Sequence, residues 1–256
     1  MLSEAASPTL SDGHAVDCFV QIGSLTKVVT GTVLTRMAAS GVLPLDDPLD
    51  RWLPTAPRTG ITLLHLARHT SGLPRLPPGR LPRRDPYAAF DRPAPDRLLP
   101  RIDTLLTCLP GRAEEYSNLG YAVLGAALTA ASRMTYAELV TEYVLRRLNI
   151  TEITANPDPA QRLLAPGFLG RPRKPWTTDG AILPAGDLWA TPRAAADIVG
   201  DQGALPMPPK TSGCTLMTEI WWVSECPRRG GVAPAISVPA RRCHTKHLMF
   251  KRLMFV

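Results

Sequence analysis

Four residues of the sequence combine type and spacing in a way that supports nucleophilic chemistry: Ser24, Lys27, Tyr116 and Asn118. Ser24-Leu25-Thr26-Lys27 is an S-x-x-K tetrad at the start of a helical pattern. Residues three apart share one face of a helix, so the hydroxyl and the amine can meet. The start of a helix adds free N–H groups and a partial positive charge. A serine placed there can attack a carbonyl carbon while its own N–H helps to stabilise the oxyanion. The lysine can act as a base only if burial or a second cation lowers its pKa from about 10.4. Tyr116-Ser117-Asn118 offers a phenol able to relay a proton to a leaving group. It also offers an amide able to hydrogen-bond both the lysine and a substrate. Taken singly, each motif has a plainer reading: a capping serine beside a surface lysine, and a loop before a helix.

The elements that must position these residues are mostly helical. From Ser24 to Ser40, apolar residues at Val29, Val33, Leu34 and Met37 have helical spacing, and Gly41 follows as a stop. Leu43 to Pro54 predicts a turn and a short helix closed by proline, and Leu63 to His69 a second short helix. The Pro- and Arg-rich stretch from Leu73 to about Arg101 predicts a long surface excursion. Tyr121 to Ala131 predicts a buried helix. Tyr136 to Leu148 predicts another, with Tyr136, Leu139, Val140, Tyr143 and Val144 facing inward. Thr191-Pro192 opens a last one, with Thr as cap and Pro at the first helical position. Beyond Gly203 no periodicity remains.

Several segments together resemble the class C β-lactamase family, which belongs with the penicillin-binding proteins. They are Gln21-Ile-Gly-Ser-Leu-Thr-Lys27, Gly41-Val-Leu-Pro-Leu-Asp-Asp-Pro48 and Ile61-Thr-Leu-Leu-His-Leu-Ala-Arg-His-Thr-Ser-Gly-Leu-Pro74. Pro110-Gly-Arg-Ala-Glu-Glu-Tyr-Ser-Asn-Leu-Gly-Tyr121 and Pro184-Ala-Gly-Asp-Leu-Trp-Ala-Thr191 complete the set. The resemblance runs from about Phe19 to about Val199. It implies an α+β fold of the β-lactamase/transpeptidase type. It also implies an acyl-enzyme on Ser24, Lys27 as its activating partner, Tyr116 as general base or acid, and Asn118 orienting substrate. The implied substrates are a β-lactam, a D-Ala-D-Ala-type peptide or a small ester, with no metal or organic cofactor.

The departures from the family pattern set further expectations. Relatives place β-strands before the S-x-x-K helix, and the roughly twenty residues before Ser24 do not read as a hairpin. A later strand with a K-T-G-like motif would supply the second oxyanion donor. The nearest match, Lys210-Thr211-Ser212-Gly213, lies among prolines with no strand pattern around it. The expected fold is therefore a largely present helical half with the antiparallel sheet half incomplete at both termini. The expected organisation is an atypical segment 1–18, a β-lactamase-related domain 19–204, and a basic, poorly ordered tail 205–256. Two functions follow: a serine hydrolase whose turnover is weakened by absent strands, or an inactive truncated homologue that acts through binding.

Composition bears on partners and compartment. The net charge of +7 is concentrated in residues 205–256, which carry eight Lys and Arg against two acidic residues. The main body is nearly neutral, which argues against a nucleic-acid partner there. Five scattered cysteines form no C-x-x-C pair. His65 and His69 are four apart, but His65-Leu-Ala-Arg-His69 lacks the glutamate of H-E-x-x-H. Cys243, His244 and His247 lack a fourth ligand nearby. No secretory signal opens Met1 to His14, and no run of about 18 apolar residues occurs. As written, the sequence predicts a cytoplasmic protein without a membrane span, although relatives are often exported.

Overall fold

The computed structural model describes residues 17–55, 58–77, 87, 93–165, 172–175 and 180–201, which all lie in one compact unit, Ala15–Val223. Its organising element is α1 (Thr26–Ala39), entered through a 3-10 turn at Gly23–Leu25. Val29, Val33, Leu34 and Met37 are fully buried, as their spacing predicts. Thr26, Thr30 and Thr32 are buried as well, so α1 is enclosed on more than one face. Leaving such hydroxyls unpaired costs about 1–3 kcal/mol each. Each is paired here. Thr32 Oγ1 donates to Val28 O at 2.9 Å, Thr30 Oγ1 to Pro184 O at 2.7 Å, and Thr26 Oγ1 accepts the Leu188 N–H at 3.1 Å.

α2 (Leu63–Ala67) opens with a reciprocal cap. Thr62 Oγ1 accepts the His65 N–H at 3.2 Å and His65 Nδ1 accepts the Thr62 N–H at 3.3 Å. The expected short helix before Pro54 is a 3-10 turn at Leu49–Arg51. The stretch after Leu73 is not simply a surface excursion. α3 (Ala94–Leu98) and a 3-10 segment at Leu99–Leu105 bury Ala94, Leu99 and Ile102. Two of the prolines that suggested a loop sit at the start of α3, Pro93 as its N-cap and Pro95 in its first turn, where a missing N–H leaves nothing unpaired.

α4 (Asn118–Ser132) starts three residues before its predicted start, because Ser117 caps it by accepting the Gly120 N–H at 2.8 Å. α5 (Tyr136–Val140) runs through a π turn (Thr141–Leu145) into α6 (Arg146–Leu148). α7 (Leu183–Gly186) is one short turn, and α8 (Pro192–Asp201) is capped by Thr191, as expected. α4 and α7 approach closely at Gly125, where a Cβ would stand 2.1 Å from Pro184 Cγ.

Three strands form one antiparallel sheet in the order β1 (Val20–Gln21), β3 (Trp189–Ala190), β2 (Ile153–Thr154). Val20 and Ile153 both face Ala190, and Gln21 and Thr154 both face Trp189. Each strand has only two residues, so helices dominate this α+β fold. Residues 1–16, the tail 205–256 and Lys210-Thr-Ser-Gly213 lie outside the described residues.

Candidate active site

The small sheet brings the first two candidate residues, Ser24 and Lys27, to their partners. β1 leads directly into the turn that carries Ser24, and β3 follows directly on α7. Their pairing extends past the strands, with the Ile22 N–H donating to Leu188 O at 3.0 Å. The carbonyl of Ala185 is thereby held against the first turn of α1, where it accepts a hydrogen bond from Lys27 Nζ. Lys27 Nζ also lies 3.2 Å from Ser24 Oγ. The hydroxyl and the amine do meet, one turn apart.

Tyr116 arrives from the opposite side. Its phenol oxygen is 2.5 Å from Ser24 Oγ, and its ring lies beneath the lysine, 4.7 Å from Nζ to the ring centroid. The segment before it is tied back to residues 69–75. The Gly111 N–H donates to Thr70 O and the Glu115 N–H to His69 O, both at 2.8 Å. Ser117 N–H donates to His69 Nδ1 at 3.1 Å, and Ser117 Oγ donates to Pro74 O at 2.7 Å. The Asn118 N–H, the first of α4, donates to Arg75 O at 3.0 Å.

Burial sets the protonation states. Lys27 is 3% exposed, and burial, followed by repulsion from the Arg75 guanidinium, lowers its pKa to about 7. Burial pushes the Tyr116 phenol above its ordinary value, against the opposing pull of the Ser24 hydrogen bond and of Arg75. His69 is lowered to about 4 by burial and then by Lys27, so its ring is neutral at pH 7. At neutral pH the site therefore holds a partly neutral amine and a protonated phenol. Arg75 is exposed, with its guanidinium carbon 5.9 Å from the Tyr116 ring centroid.

Asn118 lines an open cleft together with Gly23, Ser24, Tyr87, Ala185 and Asp187. Its Nδ2 donates to Tyr87 OH at 3.3 Å, while its buried Oδ1 has no hydrogen-bond partner among the described residues. Asn118 thus bonds Tyr87 rather than the lysine it was expected to meet, and Lys27 bonds Ser24 and Ala185. Among the described residues no three His, Cys, Asp or Glu side chains cluster as metal ligands, and no helix is long and apolar enough to cross a membrane.

Residues 14–216 match the family described as Beta-lactamase. The chain is a member of this family. It is 34% identical over 186 residues to the D-alanyl-D-alanine-carboxypeptidase/endopeptidase AmpH of Escherichia coli K12, covering 69% of this chain and 47% of that protein. It is 30% identical over 208 residues to esterase EstB of Burkholderia gladioli, covering 74% and 52%. A solved β-lactamase/D-alanine carboxypeptidase from Yersinia pestis superposes with a TM-score of 0.62 at 27% identity, covering 74% of this chain and 55% of that one. The chain spans about half the length of the relatives it matches. It thus belongs to the serine β-lactamase and penicillin-binding-protein group, and its fold is of that type.

In this β-lactamase-family chain Ser24, Lys27 and Tyr116 converge within hydrogen-bonding range, and Asn118 shares the cleft with Ser24. Reasoning from sequence missed four participants: the Ala185 carbonyl, His69, Arg75 and Tyr87. A backbone carbonyl has no residue-type signature. His69 stood in a segment whose match pointed to the fold, and Arg75 and Tyr87 in a stretch read only as loop.

Proposed function

We propose that the chain is a serine hydrolase that works through an acyl-enzyme on Ser24. The observation that carries this reading is the Ser24–Lys27–Tyr116 cluster, with hydroxyl, amine and phenol mutually in contact and the lysine pKa near 7. Neutral Lys27 keeps an N–H for Ala185 O and turns its lone pair toward Ser24 Oγ, from which it takes the proton. Oγ attacks the substrate carbonyl carbon, and the tetrahedral intermediate collapses by breaking its C–N or C–O bond. The leaving group takes the proton of the Tyr116 hydroxyl, and the Lys27 ammonium reprotonates that phenol. Water then attacks the acyl carbon and frees Ser24. The raised pKa of Tyr116 favours this division, because a phenol protonated at neutral pH is suited to donate and the amine to accept. Asn118 shares the cleft with Ser24, and its Oδ1 has no hydrogen-bond partner among the described residues, which supports a role in orienting a substrate amide. The substrate is an amide or ester: a β-lactam, a D-Ala-D-Ala-type peptide or a small ester.

The test is hydrolysis of nitrocefin and p-nitrophenyl acetate by residues 1–256 and by the Ser24→Ala variant, with fluorescent penicillin labelling followed by peptide mass spectrometry. Turnover and label should both depend on Ser24, with a loss of roughly a thousandfold or more in the variant. Label on Ser71 or Ser117, with Ser24 untouched, would sink the assignment.

A further inference from the structure

His69 adopts a left-handed backbone conformation, with φ 59°. That region suits glycine best and asparagine next; a histidine there needs a reason. The reason lies in what its groups hold. Its carbonyl accepts the N–H of Glu115 at 2.8 Å, and its Nδ1 accepts the N–H of Ser117 at 3.1 Å. These are the N–H groups of the two residues that flank Tyr116. Its ring faces the Tyr116 ring at 4.6 Å between centroids, tilted by 35°, and the Tyr121 ring at 5.0 Å. One residue thus holds the backbone before and after the phenol and lies against the ring itself.

We propose that His69 is a positioning residue for Tyr116, holding the N–H groups of both flanking residues and bracing the ring so that the phenol oxygen meets Ser24 Oγ. The inference rests on the reading of Ser24 and Tyr116 as acyl-transfer partners. It requires the Nε2–H tautomer, because an Nδ1–H would confront the Ser117 N–H donor with a second donor. The surroundings keep the ring in that neutral form: Lys27 from α1 opposes a second positive charge, and Tyr116 and Tyr121 enclose the ring. From this left-handed position a single residue presents its carbonyl to Glu115 and its side chain to Ser117.

Two substitutions separate positioning from a plain backbone role. His69→Gly satisfies the left-handed turn better than histidine does but removes both acceptor and ring. His69→Asn keeps a side-chain acceptor in a residue tolerant of that conformation. If His69 positions Tyr116, His69→Gly should lower kcat by roughly 10- to 100-fold with little change in KM, while its circular dichroism and melting stay near those of wild type. His69→Asn should recover much of that loss. In Tyr116→Phe, adding His69→Gly should cost almost nothing more, since the group being positioned is already gone. Wild-type kcat in His69→Gly, or fully additive losses in the double variant, would overturn the proposal. Imidazole nitrogen NMR of the wild-type protein gives a readout independent of turnover. A pyridine-type Nδ1 and a protonated Nε2 at pH 7 are expected, and an Nδ1–H tautomer there would overturn the grip even in a protein with no Ser24-dependent hydrolysis. Absent hydrolysis with the expected tautomer would instead count against the acyl-enzyme reading alone.

Discussion

Two serines stand at two helix starts, and they are used in opposite ways. Ser117 precedes α4 and spends both sides of its hydroxyl on the backbone, accepting the Gly120 N–H and donating to Pro74 O. Ser24 precedes α1, where no side chain caps the helix, and its hydroxyl meets only Tyr116 OH and Lys27 Nζ among the described residues. The first serine is buried and its hydroxyl is committed; the second is partly exposed and lines the cleft. On the proposed function, a helix N-terminus alone does not make a serine reactive. What matters is whether its oxygen is committed to the backbone or left to groups that can move its proton.

The largest test of that contrast removes the proton acceptor. Lys27→Met should lower acylation of Ser24 by about 100- to 10,000-fold, the usual range for loss of a general base. The same change should raise the melting temperature, because a buried amine is replaced by an apolar chain of similar length. The sign follows from linkage. The folded-state pKa of Lys27, about 7, lies below the ordinary 10.5, so the unfolded chain binds the proton more tightly. Wild-type stability should gain from this group as pH rises from about 7 to about 10.5, and Lys27→Met should lack that gain. A variant that acylates at the wild-type rate would make Lys27 a passive neighbour and erase the distinction between the two serines.

A milder test varies only pH. Acylation followed by fluorescent penicillin should rise as Lys27 deprotonates, with a midpoint near pH 7. On the acid side it should fall about tenfold per unit. A rate flat from pH 6 to pH 8 would mean that another group takes the proton. The smallest effect belongs to the other serine. Ser117→Ala should cost about 1 kcal/mol of stability through the lost cap and leave fluorescent penicillin on Ser24, as thermal melts and peptide mapping would show. Loss of labelling with unchanged melting would give Ser117 a chemical role that its hydrogen bonds do not suggest.

The contrast between these serines was only half visible in the sequence. Ser24 and Lys27, three apart, carried their geometry in their spacing, because helix periodicity converts number into direction, whereas Tyr116 lies ahead of α4 and was legible through the family resemblance. The same periodicity placed Val29, Val33, Leu34 and Met37 in the core. What could not be read depends on distant backbone. The partner of Lys27 is a carbonyl in α7, delivered by the pairing of β1 with β3, and two-residue strands leave no alternation to recognise. The helix at Ala94–Leu98 was hidden by its own prolines, which are compatible with a first turn but read as breakers. His69 was weighed as a metal ligand or a buried structural residue, since spacing says nothing about a left-handed turn that bonds to a strand of chain reached only in three dimensions.

Gly125 has a wider meaning than close packing. α7 is wedged between two helices: Pro184 rests in the notch that Gly125 leaves in α4, while the carbonyls of Pro184 and Ala185 are bonded to Thr30 and Lys27 of α1. A single methyl added at Gly125 has nowhere to go except into Pro184. The wedge would have to shift, carrying with it the carbonyl that the lysine holds. The spacing of two helices thus fixes where the carbonyl held by the buried amine can lie.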